Sequence, residues 1–197
     1  QDPAPIRMTV FRDLSQHILD IAENSTAAGA TLLHLDIEEN PSRDHLSICI
    51  RDNGCGMDPE MLLRVTDPWV TTRTTRKVGL GIPFLKQTAE MCGGHLDITS
   101  EPQRGTTIEA AFRLSHIDRP PLGDLINTLI CIVVGNPQLD VVYHHQVEAM
   151  DFVFDTREIR EILGTEVPLS DPEVLAFIRG ALIEGVAGLG SEATNGT

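Results

Sequence analysis

Basic charge is scarce in this chain: 15 Lys and Arg stand against 29 Asp and Glu, for a formal net charge of −14. A surface that grips a phosphate backbone needs clustered cations, so nucleic acid is not an expected partner. Long apolar runs are missing as well. None approaches the ~20 residues of a membrane-spanning helix, and no basic stretch leading into an apolar one marks a signal peptide, so a membrane is not expected as a partner either. Cys49, Cys55, Cys92 and Cys131 never fall in a Cys-x-x-Cys pair. That spacing disfavours a zinc site or a redox dithiol, and scattered thiols suit a reducing, cytoplasmic setting. No internal repeat is visible. What remains is a chain of 197 residues with 41% apolar and 22% charged residues, the composition of a soluble globular protein of one domain with a smaller attached unit.

Along the chain, Phe11, Leu14, Ile18, Ile21, Ala22 and Ser25 recur at three- and four-residue steps, which predicts a helix over 8–29 closed by Gly29. Strands are expected over 31–38 and 45–51, with Asn40-Pro41-Ser42 as the turn of a hairpin. The run 52–56 holds two glycines and must be a loop. Pro59 opens a short helix to about residue 65. Residues 66–78, Thr-rich and basic, show no period. A helix over 80–91 ends at Gly93-Gly94, and strands follow over 95–99 and 106–114. Asp118-Arg119-Pro120-Pro121 reads as a stiff linker and a boundary. Beyond it, 125–134 and 139–147 read as the limbs of a β-hairpin turned at Gly135-Asn136-Pro137, with 150–154 extending the second limb after a bend. Helices are expected over 156–163 and 171–185. The division is thus 8–117, then a small α+β unit over 122–187, with 1–7 and 188–197 expected to be flexible.

The polar residues of the first helix carry the first chemical hint. Asp13, His17, Asp20 and Asn24 line one margin of its apolar face, and Asp20 and Asn24 lie one turn apart. Two oxygen donors so placed suit a hard cation such as Mg²⁺ bridging phosphates, although a solvated polar edge would look the same. Asp52-x-Gly54-x-Gly56 follows a strand. Its glycines let the backbone approach a flat ligand, and Asp52 can accept a hydrogen bond from an exocyclic amine such as that of adenine. Gly79, Leu80 and Gly81 stand directly before a helix, where free N–H groups and the helix dipole favour phosphate. Arg73, Arg76 and Lys77 precede them.

Taken in order, these segments resemble the GHKL ATPase superfamily, which gyrase, the Hsp90 chaperone, histidine kinases and MutL share. HILDIAENSTAAGAT (17–31) is similar to the N box, in MutL-like wording. RDNGCGM (51–57) is similar to the G1 box. KVGLGIPFLKQTAEMCGGHLDITSEPQRGTTIEAAFRL (77–114) is similar to the G2 and G3 regions of histidine kinases. The resemblance covers about residues 8–115. It implies the Bergerat ATP-binding fold, an α+β two-layer sandwich of a mixed sheet with helices on one face. It also implies ATP and Mg²⁺ as cofactors. Under it, Asn24 would ligate magnesium and Asp20 would take the place of the Glu that positions or deprotonates the attacking water. Asp52 would read the adenine amine, and Met57 would line its pocket. Gly54, Gly56, Gly79 and Gly81 would be hinge and phosphate glycines, with Leu80 between the last two. Arg76 and Lys77 would meet the phosphates, and Thr106 or Thr107 would lie beside adenine, the register open by one. Residues 66–78 would form the ATP lid, in which Lys77 replaces a usual glycine.

Several residues have plainer readings. His17 is expected to be a partly exposed polar residue. His144 and His145, adjacent on a strand, should face opposite ways as structural or surface groups. Cys55 reads as a small filler of its loop and Trp69 as an anchor of the lid. No phosphoacceptor helix pair precedes the N box, so a self-contained histidine kinase is not expected. The readings that remain are an ATPase or protein kinase acting on a partner in trans, with turnover slowed by the short Asp20 side chain, and an ATP-gated interaction module with little turnover. The Ile- and Val-rich segment 125–147 would be a dimer or partner surface, or else an extension of the ATPase sheet.

Overall fold

A computed structural model describes residues 12–65, 81–164 and 167–191. Chain order is α1 (Leu14–Ala27), β1 (Leu32–Asn40), β2 (His45–Asp52), α2 (Pro59–Val65), α3 (Gly81–Met91), β3 (His95–Glu101), β4 (Gly105–Arg113), α4 (Leu125–Gly135), β5 (Asp140–Val147), β6 (Met150–Asp155), α5 (Thr156–Leu163) and α6 (Pro172–Ala187). The six strands make one mixed sheet in the order β3-β4-β2-β1-β5-β6. Every pairing is antiparallel except β1 with β5.

Alternation fixes which face is covered. Leu33, Leu35 and Ile37 of β1, Leu46, Ile48 and Ile50 of β2, and Ile108, Ala110 and Phe112 of β4 are all buried. Their odd-step neighbours, such as His34, Asp36, Ser47 and Arg51, point to the barer face. Over the covered face lie α1 and α3, with α1 also packed on α4 and α4 on α6. The first helix starts at Leu14, later than its periodicity suggests, because the Asp13 carboxylate caps it by accepting from the Gln16 N–H at 3.1 Å. The proline linker docks there too: the N–H groups of Leu14 and Ser15 donate to the carbonyls of Pro121 and Leu122 at 2.9 and 2.8 Å, satisfying donors that a helix start leaves open.

The expected hairpin limb over 125–134 is a helix instead. Leu125, Thr128, Leu129, Ile132 and Val133 are buried at helical spacing, and the Asp124 side chain caps the start from the Asn127 N–H at 3.0 Å. A segment so rich in Leu, Ile and Val, interrupted only by Asn127, Thr128 and Cys131, satisfies either period, so it does not by itself decide between helix and strand. The hairpin lies one element later. β6 is the return limb rather than a continuation of β5, with Glu148 in the turn at φ 52°. Through the β1–β5 pairing the segment extends the sheet, one of the two roles the sequence left open. Residues 188–191, expected to be flexible, are tied down: Leu189 is buried and the Ser191 hydroxyl donates to Glu39 at 2.5 Å. Among the described residues, no helix is long and apolar enough to cross a membrane.

Candidate functional site

Of the described site residues, Asp20 and Asn24 lie on α1 against the start of α3, and Asp52 at the end of β2 is joined to α1 through Ser25. Asp20 and Asn24 sit one turn apart on α1, and the Asn24 Nδ2 donates to Asp20 Oδ2 at 3.4 Å. That bond uses the amide nitrogen and leaves the carboxamide oxygen as a donor atom toward a hard cation. Burial raises the Asp20 carboxyl above its ordinary value, with the nearby Glu23 charge adding to the rise. Hydrogen bonds from Asn24 and the Gly81 backbone oppose it. α3 begins against this carboxylate so closely that a Cβ on Gly81 would stand 2.0 Å from Asp20 Oδ2. A residue with a Cβ at position 81 would displace that carboxylate.

Asp52 ends β2 on the covered face. Its Oδ2 accepts from the Ser25 hydroxyl at 2.8 Å and its Oδ1 from the Gly54 N–H at 2.8 Å. A carboxylate has about four acceptor positions, so each oxygen retains one for a ligand. Sheet register separates the two threonines: Thr106 stands opposite Asp52 and Ser100, whereas Thr107 stands opposite Arg51 and Thr99. Thr106 therefore shares the Asp52 face. Thr107 points through the sheet to a recess of about 410 Å³ lined also by His34, Arg51, Thr99 and Arg104. The Ser100 hydroxyl draws this end together. It accepts from the Met57 N–H at 2.8 Å, lies 3.0 Å from Thr106 Oγ1 and donates to the Gly105 carbonyl at 2.9 Å. Met57 is buried beside it. Gly56, at φ +64°, passes so near β3 that a Cβ would lie 2.0 Å from the Glu101 carbonyl oxygen. The cradle is thus built for close backbone approach.

Arg73, Arg76, Lys77, Gly79, Leu80 and Trp69 lie outside the described residues, as does all of the expected lid over 66–78. His17 departs from its expected exposure. It is buried, at 2% exposed, because α3 packs over it, and its Nδ1 lies 3.2 Å from the Gly81 carbonyl oxygen. Cys55 is exposed rather than filling its loop. His144 and His145 do face opposite ways: His144 sits near Asp36, and His145 is fully buried.

Sequence reasoning passed over Ser25 and Ser100. Ser25 was legible as a small polar residue on the buried stripe of α1. Ser100 needed the β3–β4 register.

Residues 2–116, more than half of the chain, match the family described as histidine kinase-, DNA gyrase B-, and HSP90-like ATPase. The chain belongs to this family and carries the ATP-binding domain typical of histidine kinases and related ATPases. A provisionally named sensor protein of Shewanella frigidimarina is 30% identical over 119 residues, covering 59% of this chain and 18% of that protein. A provisionally named NtrY-like sensor histidine kinase of Rickettsia bellii is 27% identical over 106 residues, covering 53% and 17%. The chain thus spans less than a fifth of these relatives' length. Among solved structures, the Aquifex aeolicus MutL ATPase domain complexed with ADP aligns at 13% identity and a TM-score of 0.45, covering 87% of this chain and 88% of that one.

Proposed function

We propose that the chain binds Mg-ATP on the covered face between Asp52 and Asp20 and slowly transfers or hydrolyses its γ-phosphate, acting on or signalling to a partner protein. The observation that carries this reading is the meeting of Asp20, Asn24 and the glycine start of α3 at one place, with the Ser25–Asp52 pair on the same helix–sheet seam. The residues present suit the nucleotide and its cation. Asp52 and Thr106 offer polar atoms to an adenine edge, and the glycines at 56 and 81 let the loop close on β3 and α3 close on Asp20, which shapes the walls of the site. The carboxamide oxygen of Asn24 is a hard donor for Mg²⁺. When bound, Mg²⁺ would neutralise phosphate charge, the main requirement of phosphoryl transfer. Asp20 would orient the attacking water or protein hydroxyl, its raised proton affinity bringing it closer to the range useful for a base.

One observation favours the second reading, an ATP-gated interaction module with little turnover. Asp20 is already engaged by Asn24 and the Gly81 backbone, which holds part of its acceptor capacity away from a nucleophile. The acidic net charge supports a protein partner over nucleic acid or an anionic membrane, and a cytoplasmic setting goes with that proposal. The β6 strand, at the edge of the sheet with Met150 and Val153 exposed, is the surface through which a homodimer or partner would pair. Incubation with γ-labelled ATP and Mg²⁺ separates the readings. Release or fixation of label that Asp20→Asn abolishes, while ATP binding persists, supports the enzyme. ATP bound with its label intact supports the module, and absence of ATP binding overturns both.

A further inference from the structure

α1 grips one residue of α3 from two sides. His17 and Asp20 are three residues apart on α1, so their side chains leave the same face of the helix. Both reach Gly81. The Gly81 carbonyl oxygen lies 3.2 Å from His17 Nδ1, and the Gly81 backbone N–H bonds to the Asp20 carboxylate. Because the carbonyl can only accept, the proton sits on Nδ1, which fixes the tautomer of the ring. The absence of a Cβ leaves room for this grip, since a side chain at position 81 would push the Asp20 carboxylate out of its present place. His17 is also 2% exposed, an uncommon environment for an imidazole, and burial lowers its proton affinity despite the Gly81 bond and the Asp13 charge. A neutral, buried ring with a fixed tautomer is a rigid strut.

We infer that His17 is a positioning residue: its Nδ1–H seats the Gly81 peptide, and so holds the first turn of α3 at a fixed height beside Asp20. The part of this inference that concerns nucleotide rests on the Mg-ATP reading above. If the first turn of α3 meets the phosphates, the strut sets the phosphate distance from Asp20 and Asn24 without itself touching the ligand. The part that concerns α3 does not need ATP at all.

The test therefore uses two readouts on the full chain and two variants. His17→Leu keeps apolar volume and removes the donor. His17→Asn keeps an amide donor close to where Nδ1 stands. Amide hydrogen exchange without nucleotide is followed over 81–85 and, as a reference, over 141–147 of β5. Loss of one such hydrogen bond should raise exchange over 81–85 in His17→Leu by about fivefold with β5 unchanged, and His17→Asn should restore most of the protection. Mg-ATP affinity should fall about fivefold in His17→Leu and return in His17→Asn. Unchanged exchange over 81–85 in His17→Leu would overturn the inference. So would a rise that spreads equally to β5, or one that His17→Asn fails to reverse, since either marks a general packing role. If the exchange results come out as expected but the parent chain binds no Mg-ATP, the strut stands and the nucleotide reading fails.

Discussion

Two polar clusters lie under the same sheet and are built in opposite ways. At one end, Asp20, Asn24 and Asp52 are half-buried and retain acceptor positions beyond the bonds they make. At the other, Tyr143, His145 and Glu39 are wholly buried. The Tyr143 hydroxyl and His145 Nδ1 are 2.8 Å apart, His145 Nε2 and Glu39 Oε1 are 2.8 Å apart, and Ser191 donates to the same Glu39 oxygen. Burial and the Glu39 charge together push the Tyr143 hydroxyl well above its usual range. Among the described residues, no buried side-chain polar atom lacks a hydrogen-bond partner. A closed network of this kind specifies packing and offers nothing to a ligand, whereas the open cluster invites one. Here it pins residue 191 to β1 and β5, joining the end of the described chain to the centre of the sheet.

That contrast can be broken from either side. Glu39→Ala removes the acceptor shared by His145 and Ser191 in a dry site. It should cost about 3 kcal/mol of stability, read as a fall in the urea unfolding midpoint, while Mg-ATP affinity in the surviving folded protein stays within about twofold. A loss of affinity with stability intact would mean that the two clusters are coupled. Asp52→Asn should do the reverse. It keeps the shape of the side chain and an acceptor for Ser25, but loses the charge. Mg-ATP affinity should drop about thirtyfold, equivalent to about 2 kcal/mol, with a much smaller change in the urea midpoint.

The smallest effect expected is a pH dependence that sharpens the comparison. Burial lowers the His17 proton affinity below the ordinary value of 6.5. The unfolded chain therefore takes up the proton first as pH falls. Stability from this group is present above pH 6.5 and is lost as pH drops below it toward the folded value. Asp20 acts in the opposite sense and in a lower window. Its raised folded value means the cost of its charge is relieved as pH falls through that value toward 3.8. Urea midpoints measured from pH 7.5 down to about 5.5 should decline in the parent and decline less in His17→Leu. Equal slopes would show that His17 titrates as an exposed group does.

Much of the fold could be read in advance because its local signals agree with its tertiary ones. The strand alternation of β1 and β2, the Pro59 start of α2 and the Asp171-Pro172 start of α6 each have a short-range cause. α4 could not be read that way, since Leu125–Val134 satisfies the pattern of a buried strand as well as that of a buried helix. Its cap at Asp124 and its neighbours α1 and α6 decided it. At the site, Asp20, Asn24 and Asp52 were legible because helical spacing and a glycine loop announce themselves. Ser100 and the choice between Thr106 and Thr107 were not, because a single-residue shift in strand pairing exchanges the faces.

The sequence by itself determined the order of the boxes, the glycines that permit close approach and the one-turn spacing of Asp20 and Asn24, all of which depend on residues near one another in the chain. Only the tertiary structure decided that His17 is a buried strut, that Thr106 rather than Thr107 shares the Asp52 face, and that Glu39, His145 and Ser191 meet. These contacts join residues 54 to 152 positions apart, and no local pattern encodes which of many polar groups will be brought together once the apolar faces have closed.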